Sequence, residues 1–260
     1  MLPVKLPIDS VDMSGEMVDV PNTFADQLRW VSSSCAKDMS RPALTCVLVQ
    51  DGAMLSSDSY RASRVEHGVE GLPRLMLPLS QVDVLVDYPL CRAGLSEGGE
   101  WARFETEDGT TLCARSMAGA FPDLAKVYEV EGREVQLTAA LGDAIERARV
   151  FSKNDRPADE EIRVSMRANQ VTVSARYEGG DFSEVVRCEG ATESAEFSIH
   201  PKFLAAALES GTTCVLGERS VLFSGKDWRH CVALKAGERQ LEANSRRWNE
   251  QQSTPIPHDT

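Results

Sequence analysis

Little in this sequence is spaced for catalysis. The four histidines, His67, His200, His230 and His258, offer no H-x-x-x-H or H-E-x-x-H arrangement to hold a metal. Ser57-Asp58-Ser59 sets a hydroxyl beside a carboxylate, with no base to activate it. The P-loop and G-x-G-x-x-G are both missing. Gly98-Gly99 and Gly179-Gly180 fall between strands as turn punctuation, and Asp159-Glu160-Glu161 reads as solvated charge in a proline-containing loop. Seven cysteines, Cys35, Cys46, Cys91, Cys113, Cys188, Cys214 and Cys231, form no C-x-x-C pair and read as reduced, buried thiols of a cytosolic protein. No enzyme, metal or cofactor is expected. What stands out is a run of cations, Arg147, Arg149, Lys153 and Arg156, a type of group suited to phosphate contacts.

The elements that would carry these residues read as one unit present twice. The 260 residues are 42% hydrophobic and 26% charged, a soluble globular profile with room for two ordinary domains. Met1 to Asp12 lacks the apolar core of a secretory signal, and no apolar run reaches the roughly 18 residues that span a bilayer. Each unit opens with a short strand, Glu16 to Val20 and then Arg133 to Leu137. An amphipathic helix follows, with Phe24, Leu28, Val31 and Cys35 on one stripe, Thr23 as N-cap and Asp26 at N3. Its counterpart carries Leu141, Ile145, Ala148 and Ser152. Hairpins come next: Ala43 to Gln50, Asp51-Gly52, Ala53 to Ser63, matched by Glu161 to Met166, Ala168-Asn169, Gln170 to Tyr177. Pro78-Leu79-Ser80 and Ile199-His200-Pro201 open second helices, ended near Pro89 and Gly211, and further strands close each unit. The expected divisions are 1–128, 129–236 and a disordered tail, 237–260. In that tail Arg246-Arg247-Trp248 reads as an incidental segment or a docking anchor.

Two stretches carry a family resemblance. Arg41-Pro42-Ala43-Leu44-Thr45-Cys46-Val47-Leu48, then Ser57-Asp58-Ser59-Tyr60-Arg61-Ala62, resembles the middle domain of the bacterial DNA polymerase III beta subunit, the beta sliding clamp. Gly119-Ala120-Phe121-Pro122-Asp123-Leu124 is similar to the G-x-F-P-D-Y segment of that family, and Ile199-His200-Pro201-Lys202-Phe203-Leu204 to its I-N-P-K-Y-L. The resemblance spans residues 16 to 235. It implies an α+β fold of two tandem clamp domains, each with two helices packed on antiparallel sheet. Bacterial rings contain two three-domain chains, whereas eukaryotic and phage rings contain three two-domain chains. The same six-domain closure implies a homotrimer here, joined head to tail. Departures are Ala62, where the family has leucine, and an ending of Val232-Ala233-Leu234-Lys235 in place of M-P-M-R-L.

The resemblance also implies the partners. Duplex DNA would be encircled, held by topology and by weak phosphate contacts carrying no sequence information. A net charge of −12 argues against a protein that grips nucleic acid, but not against a ring whose inner surface alone is basic. The DNA-facing candidates are Arg29 and Lys37 on the first helix, Arg41 just beyond, then Arg147, Arg149, Lys153, Arg156 and Lys202. A groove between the two domains would receive short linear motifs from the polymerase and clamp loader, in a bacterial or phage-infected cytoplasm. Its residues, carried over by motif position, are Leu44, Ser57, Ser59, Tyr60, Arg61, Ala62, Pro122, Val127, Cys231, Val232 and Ala233. Two other classes remain open: a clamp-fold decoy or regulator that does not encircle DNA, and an α+β enzyme or ligand-binding protein.

Overall fold

The computed structural model describes residues 15–177, 180–188 and 194–235. The expectations for the N-terminus, Gly179, the tail and Trp248 lie outside these residues. The chain divides into two compact units: one runs to Glu129 and includes Ser224–Cys231, the other runs from Val130 to Phe223 and resumes at Val232.

In the first unit the order is β1 (Met17–Asp19), α1 (Phe24–Ser32), β2 (Cys46–Gln50), β3 (Ala53–Ser57), β4 (Arg61–Glu66), β5 (Leu75–Pro78), α2 (Leu79–Leu85), β6 (Leu90–Leu95), β7 (Trp101–Thr106) and β8 (Thr111–Arg115). The second unit repeats it element for element: β9 (Gly132–Gln136), α3 (Leu141–Val150), β10 (Ile162–Arg167), β11 (Gln170–Tyr177), β12 (Gly180–Arg187), β13 (Ala195–Ile199), α4 (Pro201–Ser210), β14 (Thr213–Gly217), β15 (Ser220–Ser224) and β16 (Trp228–Ala233). The last strand is shared, since its residues through Cys231 belong to the first unit. The strand pairs β1–β6, β6–β7, β7–β8, β2–β3, β2–β5, β3–β4, β9–β14, β14–β15, β10–β11, β10–β13 and β11–β12 are antiparallel, and the fold is α+β. The first unit holds sheets β5-β2-β3-β4 and β1-β6-β7-β8; the second holds the equivalents β13-β10-β11-β12 and β9-β14-β15.

Apolar periodicity explains the helices. Phe24, Leu28 and Val31 are fully buried on one face of α1, and Leu141, Ile145 and Ala148 on one face of α3. The α1 stripe reaches Cys35 only by a tightened turn, because the helix ends at Ser32 and Ser33 N–H donates back to Trp30 O. Thr23 precedes α1 without a side-chain capping bond, so its expected role as N-cap is not realised. His200 caps α4, accepting the Lys202 N–H on its ring at 3.2 Å, with Pro201 in the first turn. In each unit the two helices pack together, α1 on α2 and α3 on α4.

Two strand expectations need correction. Residues 43–45 are not strand, because Pro42–Thr45 forms a 3-10 turn before β2. Pro42 has no N–H to give a ladder, and the Thr45 hydroxyl donates to its carbonyl at 2.8 Å. The strand read from Ala53 to Ser63 breaks at Asp58–Tyr60, where a polar turn separates β3 from β4.

Candidate functional site

The turn between β3 and β4 is closed by its own side chains. Asp58 Oδ1 accepts the N–H groups of Tyr60 (3.0 Å) and Arg61 (2.9 Å), while Oδ2 accepts from Arg61 Nε at 2.9 Å. Ser57 Oγ donates to Arg61 O at 2.8 Å and accepts the Ser59 N–H at 3.2 Å. Arg41 reaches in from the start of the 3-10 turn and donates to Ser59 Oγ at 2.9 Å. These bonds hold Ser59 at φ +77°, a conformation unusual for a residue with a Cβ. Arg61 also donates to Ser33 O, at the end of α1. Its guanidinium therefore ties the turn to a helix. Tyr60 is carried outward, 51% exposed.

Beyond Arg61 the chain enters an apolar cluster of Cys46, Leu48, Ala53, Leu55, Ala62, Met76 and Leu124. Met117, Phe121 and Tyr128 pack on it from the segment that follows β8. The resemblance pointed to Pro122 and Val127 in that segment, and both are exposed. Phe121 and Leu124, quoted in that motif but not assigned to the groove, and Tyr128, not named, pack on the cluster, and their spacing of three and four residues was the available signal. Tyr128 Oη is buried with no hydrogen-bond partner among the described residues, and burial pushes its pKa above the usual phenol value. Leu44 is buried in the 3-10 turn and Cys231 is buried in the first unit. Val232, buried, and Ala233, exposed, belong to the second unit.

A buried polar chain runs under this face. Ser34 Oγ and Ser63 Oγ lie 2.8 Å apart, and Ser63 Oγ lies 2.8 Å from His230 Nδ1. His230 is only 4% exposed, and its Nε2 has no partner among the described residues. Burial, assisted by the positive charge of Arg61, lowers its pKa to about 4. The ring is therefore neutral at pH 7. Trp30 stands edge-on to it at 6.2 Å and contacts Trp228 at 5.5 Å.

The candidate DNA-facing cations do not form one helical surface. Arg29 lies on α1, donating to Val86 O at 2.7 Å and pairing with Asp87 at 3.2 Å. Lys37, expected on the same helix, is in the loop beyond Ser32 and exposed. On α3, Arg147 makes two bonds to Glu184, at 2.8 and 2.7 Å, and Arg149 pairs with Glu146 at 3.2 Å. Lys153 and Arg156 follow the end of α3 in an exposed loop, so only two of the four clustered cations are helical. Lys202 is exposed in the first turn of α4. The four helices together carry Arg29, Arg147, Arg149 and Lys202 against Asp26, Asp83, Asp143, Glu146 and Glu209. These faces are close to neutral.

Among the described residues no group of three His, Cys, Asp or Glu side chains could hold a metal ion, and no helix is long and apolar enough to cross a membrane.

No protein-family model matches the sequence, and no curated protein matches it. Solved structures do. The DNA polymerase sliding clamp from Bacillus subtilis superposes with a TM-score of 0.73 at 17% identity, over 91% of this chain and 67% of that one. The beta subunit from DNA polymerase of Streptococcus pyogenes gives 0.72 at 15% identity, over 90% and 68%. A DnaN sliding clamp (DNA polymerase III subunit beta) from Bartonella birtlesii, bound to griselimycin, gives 0.73 at 13% identity, over 90% and 68%. At such identities the likeness establishes the fold. Nearly the whole chain has the fold of part of a bacterial beta clamp.

Proposed function

We propose that this protein is a sliding clamp, a non-enzymatic processivity factor that encircles duplex DNA and tethers a polymerase to it. The observation that carries this reading is the duplication. Ten elements recur in the same order with the same sheet connections, and the two units together overlay about two thirds of a clamp chain. A ring of six such units takes three copies of this pair, joined head to tail. In that ring the helices line the hole. Their near-neutral faces suit DNA that is retained by topology and slides, because firm phosphate neutralisation would arrest it. Partner motifs would engage the first unit around the exposed Tyr60 and the apolar cluster behind Ala62. The polymerase and the clamp loader are the expected owners of such motifs.

Retention on DNA of different topology tests the reading. After loading onto nicked circular duplex the protein should stay bound through a salt wash, and it should be lost within minutes once a single cut makes the circle linear. Replacing Arg147, Arg149, Lys153 and Arg156 together with Glu should sharply reduce loading; the variant also loses the Arg147–Glu184 and Arg149–Glu146 pairs, so its fold is checked by thermal unfolding. Equal retention on circular and linear DNA would contradict encirclement.

A second reading has an observation of its own. All three helical arginines are paired with carboxylates of the same chain. A clamp-fold protein that captures partner motifs without encircling DNA needs no basic lining. It would bind motif peptides through the Tyr60 face and show no retention on either form of DNA.

A further inference from the structure

The first unit contains a cavity of about 580 Å³ that the clamp reading does not use, within the roughly 300–1,000 Å³ of ordinary ligand sites. It lies between the start of α2, the turn joining β6 to β7 and the chain just after β8. Pro78, Gln81, Gly98, Gly99 and Met117 form its walls. A Cβ on Gly98 or Gly99 would meet no atom within 4 Å, so this side of the cavity is bare backbone facing open space. The Gln81 Oε1 atom is buried and has no hydrogen-bond partner among the described residues. Of β8, the edge strand of its sheet, only the last residue, Arg115, reaches the cavity. The ladder of that edge stays free for a neighbouring copy.

The second unit holds a ring in the same place. Four backbone bonds fix the correspondence. Ser116 N–H donates to Glu100 O at 2.9 Å and Met117 N–H to Met76 O at 2.8 Å. Their counterparts are Leu234 N–H to Arg219 O and Lys235 N–H to Ser198 O, both at 2.8 Å. The helix register agrees, since Val82 and Leu204, each the fourth residue of its helix, are both fully buried. Gln81 thus stands where the second unit has Phe203, and Pro78 where it has His200. There Phe203 and His200 are stacked, with ring centroids 4.4 Å apart. The first unit offers an amide, a pyrrolidine ring and open space instead.

We propose that the cavity receives an aromatic side chain bearing a ring N–H or O–H, a tryptophan or a tyrosine, from a linear segment of a partner protein. The ring takes the place that Phe203 fills in the second unit, against the Met117 sulfur and the Gly98-Gly99 backbone. Its donor supplies the partner that Gln81 Oε1 lacks, the amide turning about its last bond to meet it. A protein segment fits better than a free metabolite. The walls are uncharged, and the charges beside them, Glu100 and Arg115, are each 65% exposed and paired with one another at 3.7 Å. Nothing there fixes a small polar ligand, whereas an anchoring side chain is held by the chain on either side of it. None of the wall residues belongs to the groove carried over from the family, and the site does not depend on the chain encircling DNA.

Methyl NMR of the full-length protein tests it, read at the Met117 methyl group and assigned by Met117→Leu. N-Acetyltryptophanamide should shift that signal upfield and saturably, through the ring current, and N-acetylleucinamide should not. The 1-methylindole analogue, which has no N–H to give, should bind about ten-fold more weakly. Capped Gly-Trp-Gly should bind more tightly than N-acetyltryptophanamide, since a segment adds contacts on either side of the ring. Gln81→Phe, which builds in the ring of the second unit, should abolish the shift without lowering the thermal midpoint. Gly98→Val should abolish it too; that backbone lies outside the left-handed region and its Cβ would point into open space, so the fold is kept. An unchanged signal from Met54, fully buried in the core, reports an intact fold in each variant. A Met117 signal that ignores the tryptophan ligands overturns the proposal, as does an equal response to the leucine amide. So does a shift that survives Gln81→Phe and Gly98→Val. Tighter binding of N-acetyltryptophanamide than of the tripeptide overturns the partner segment in favour of a free small molecule.

Discussion

Asp58 shows how much of one turn a single residue can set. Its carboxylate accepts two backbone N–H groups and the Arg61 side chain, and that ion pair is largely shielded, each side chain being 14% exposed. Asp58→Ala should cost about 1–3 kcal/mol in urea unfolding, because three donors lose their acceptor. His230 makes a pH prediction. Its pKa is near 4 when folded and about 6.5 when free, so the unfolded chain binds the proton first as pH falls. The stabilisation is complete above pH 6.5 and is lost between pH 6.5 and 4, at most roughly 3 kcal/mol. Burial lowers His67 and His200 in the same direction. His230→Gln should remove most of the His230 share, seen as a smaller drop in urea midpoint between pH 7.5 and 4.5 than in wild type. The residues of the turn were legible in the sequence as a motif, although the strand expected from Ala53 to Ser63 hid the turn itself. His230 was not, because Ser63 lies 167 positions away and no local pattern announces the contact.

Strands and helices followed from periodicity wherever one face is buried, as in the Phe24 and Leu141 stripes. Periodicity failed where polar side chains redirect the backbone, at Pro42–Thr45 and at Asp58–Tyr60. It also placed Lys37, Lys153 and Arg156 too close to helices that had already ended. Glycine marks a constraint that no pattern exposed. A Cβ on Gly94 of β6 would sit 2.2 Å from Glu16 O, and one on Gly132 of β9 would sit 2.1 Å from Leu216 O. The strand pairs β1–β6 and β9–β14 occupy equivalent places in the two units, and each contains such a contact. Gly94→Ala and Gly132→Ala should each destabilise by about 1–3 kcal/mol through backbone overpacking. Gly142→Ala, in α3 with open space around it, should be neutral or stabilise by up to about 1 kcal/mol. Thermal midpoints of the three variants separate these outcomes. A destabilised Gly142→Ala beside tolerant Gly94→Ala and Gly132→Ala would contradict the packing described.

For the whole molecule, the duplication visible in apolar spacing is matched by equivalent sheets, down to the order of strands. Charge was harder to read. The run from Arg147 to Arg156 stands out in a chain of net charge −12, yet Arg147 is occupied by Glu184, 37 residues away on a strand. Pairing of that kind is set by the fold and hidden from composition. The central claim is that three copies close one ring of six domains, and native mass spectrometry of the full-length protein tests it most directly. The account predicts a dominant species at three times the chain mass, persisting at low micromolar concentration without DNA. A stable monomer at tens of micromolar, the range of a weak interface, or a species of two copies, would contradict it.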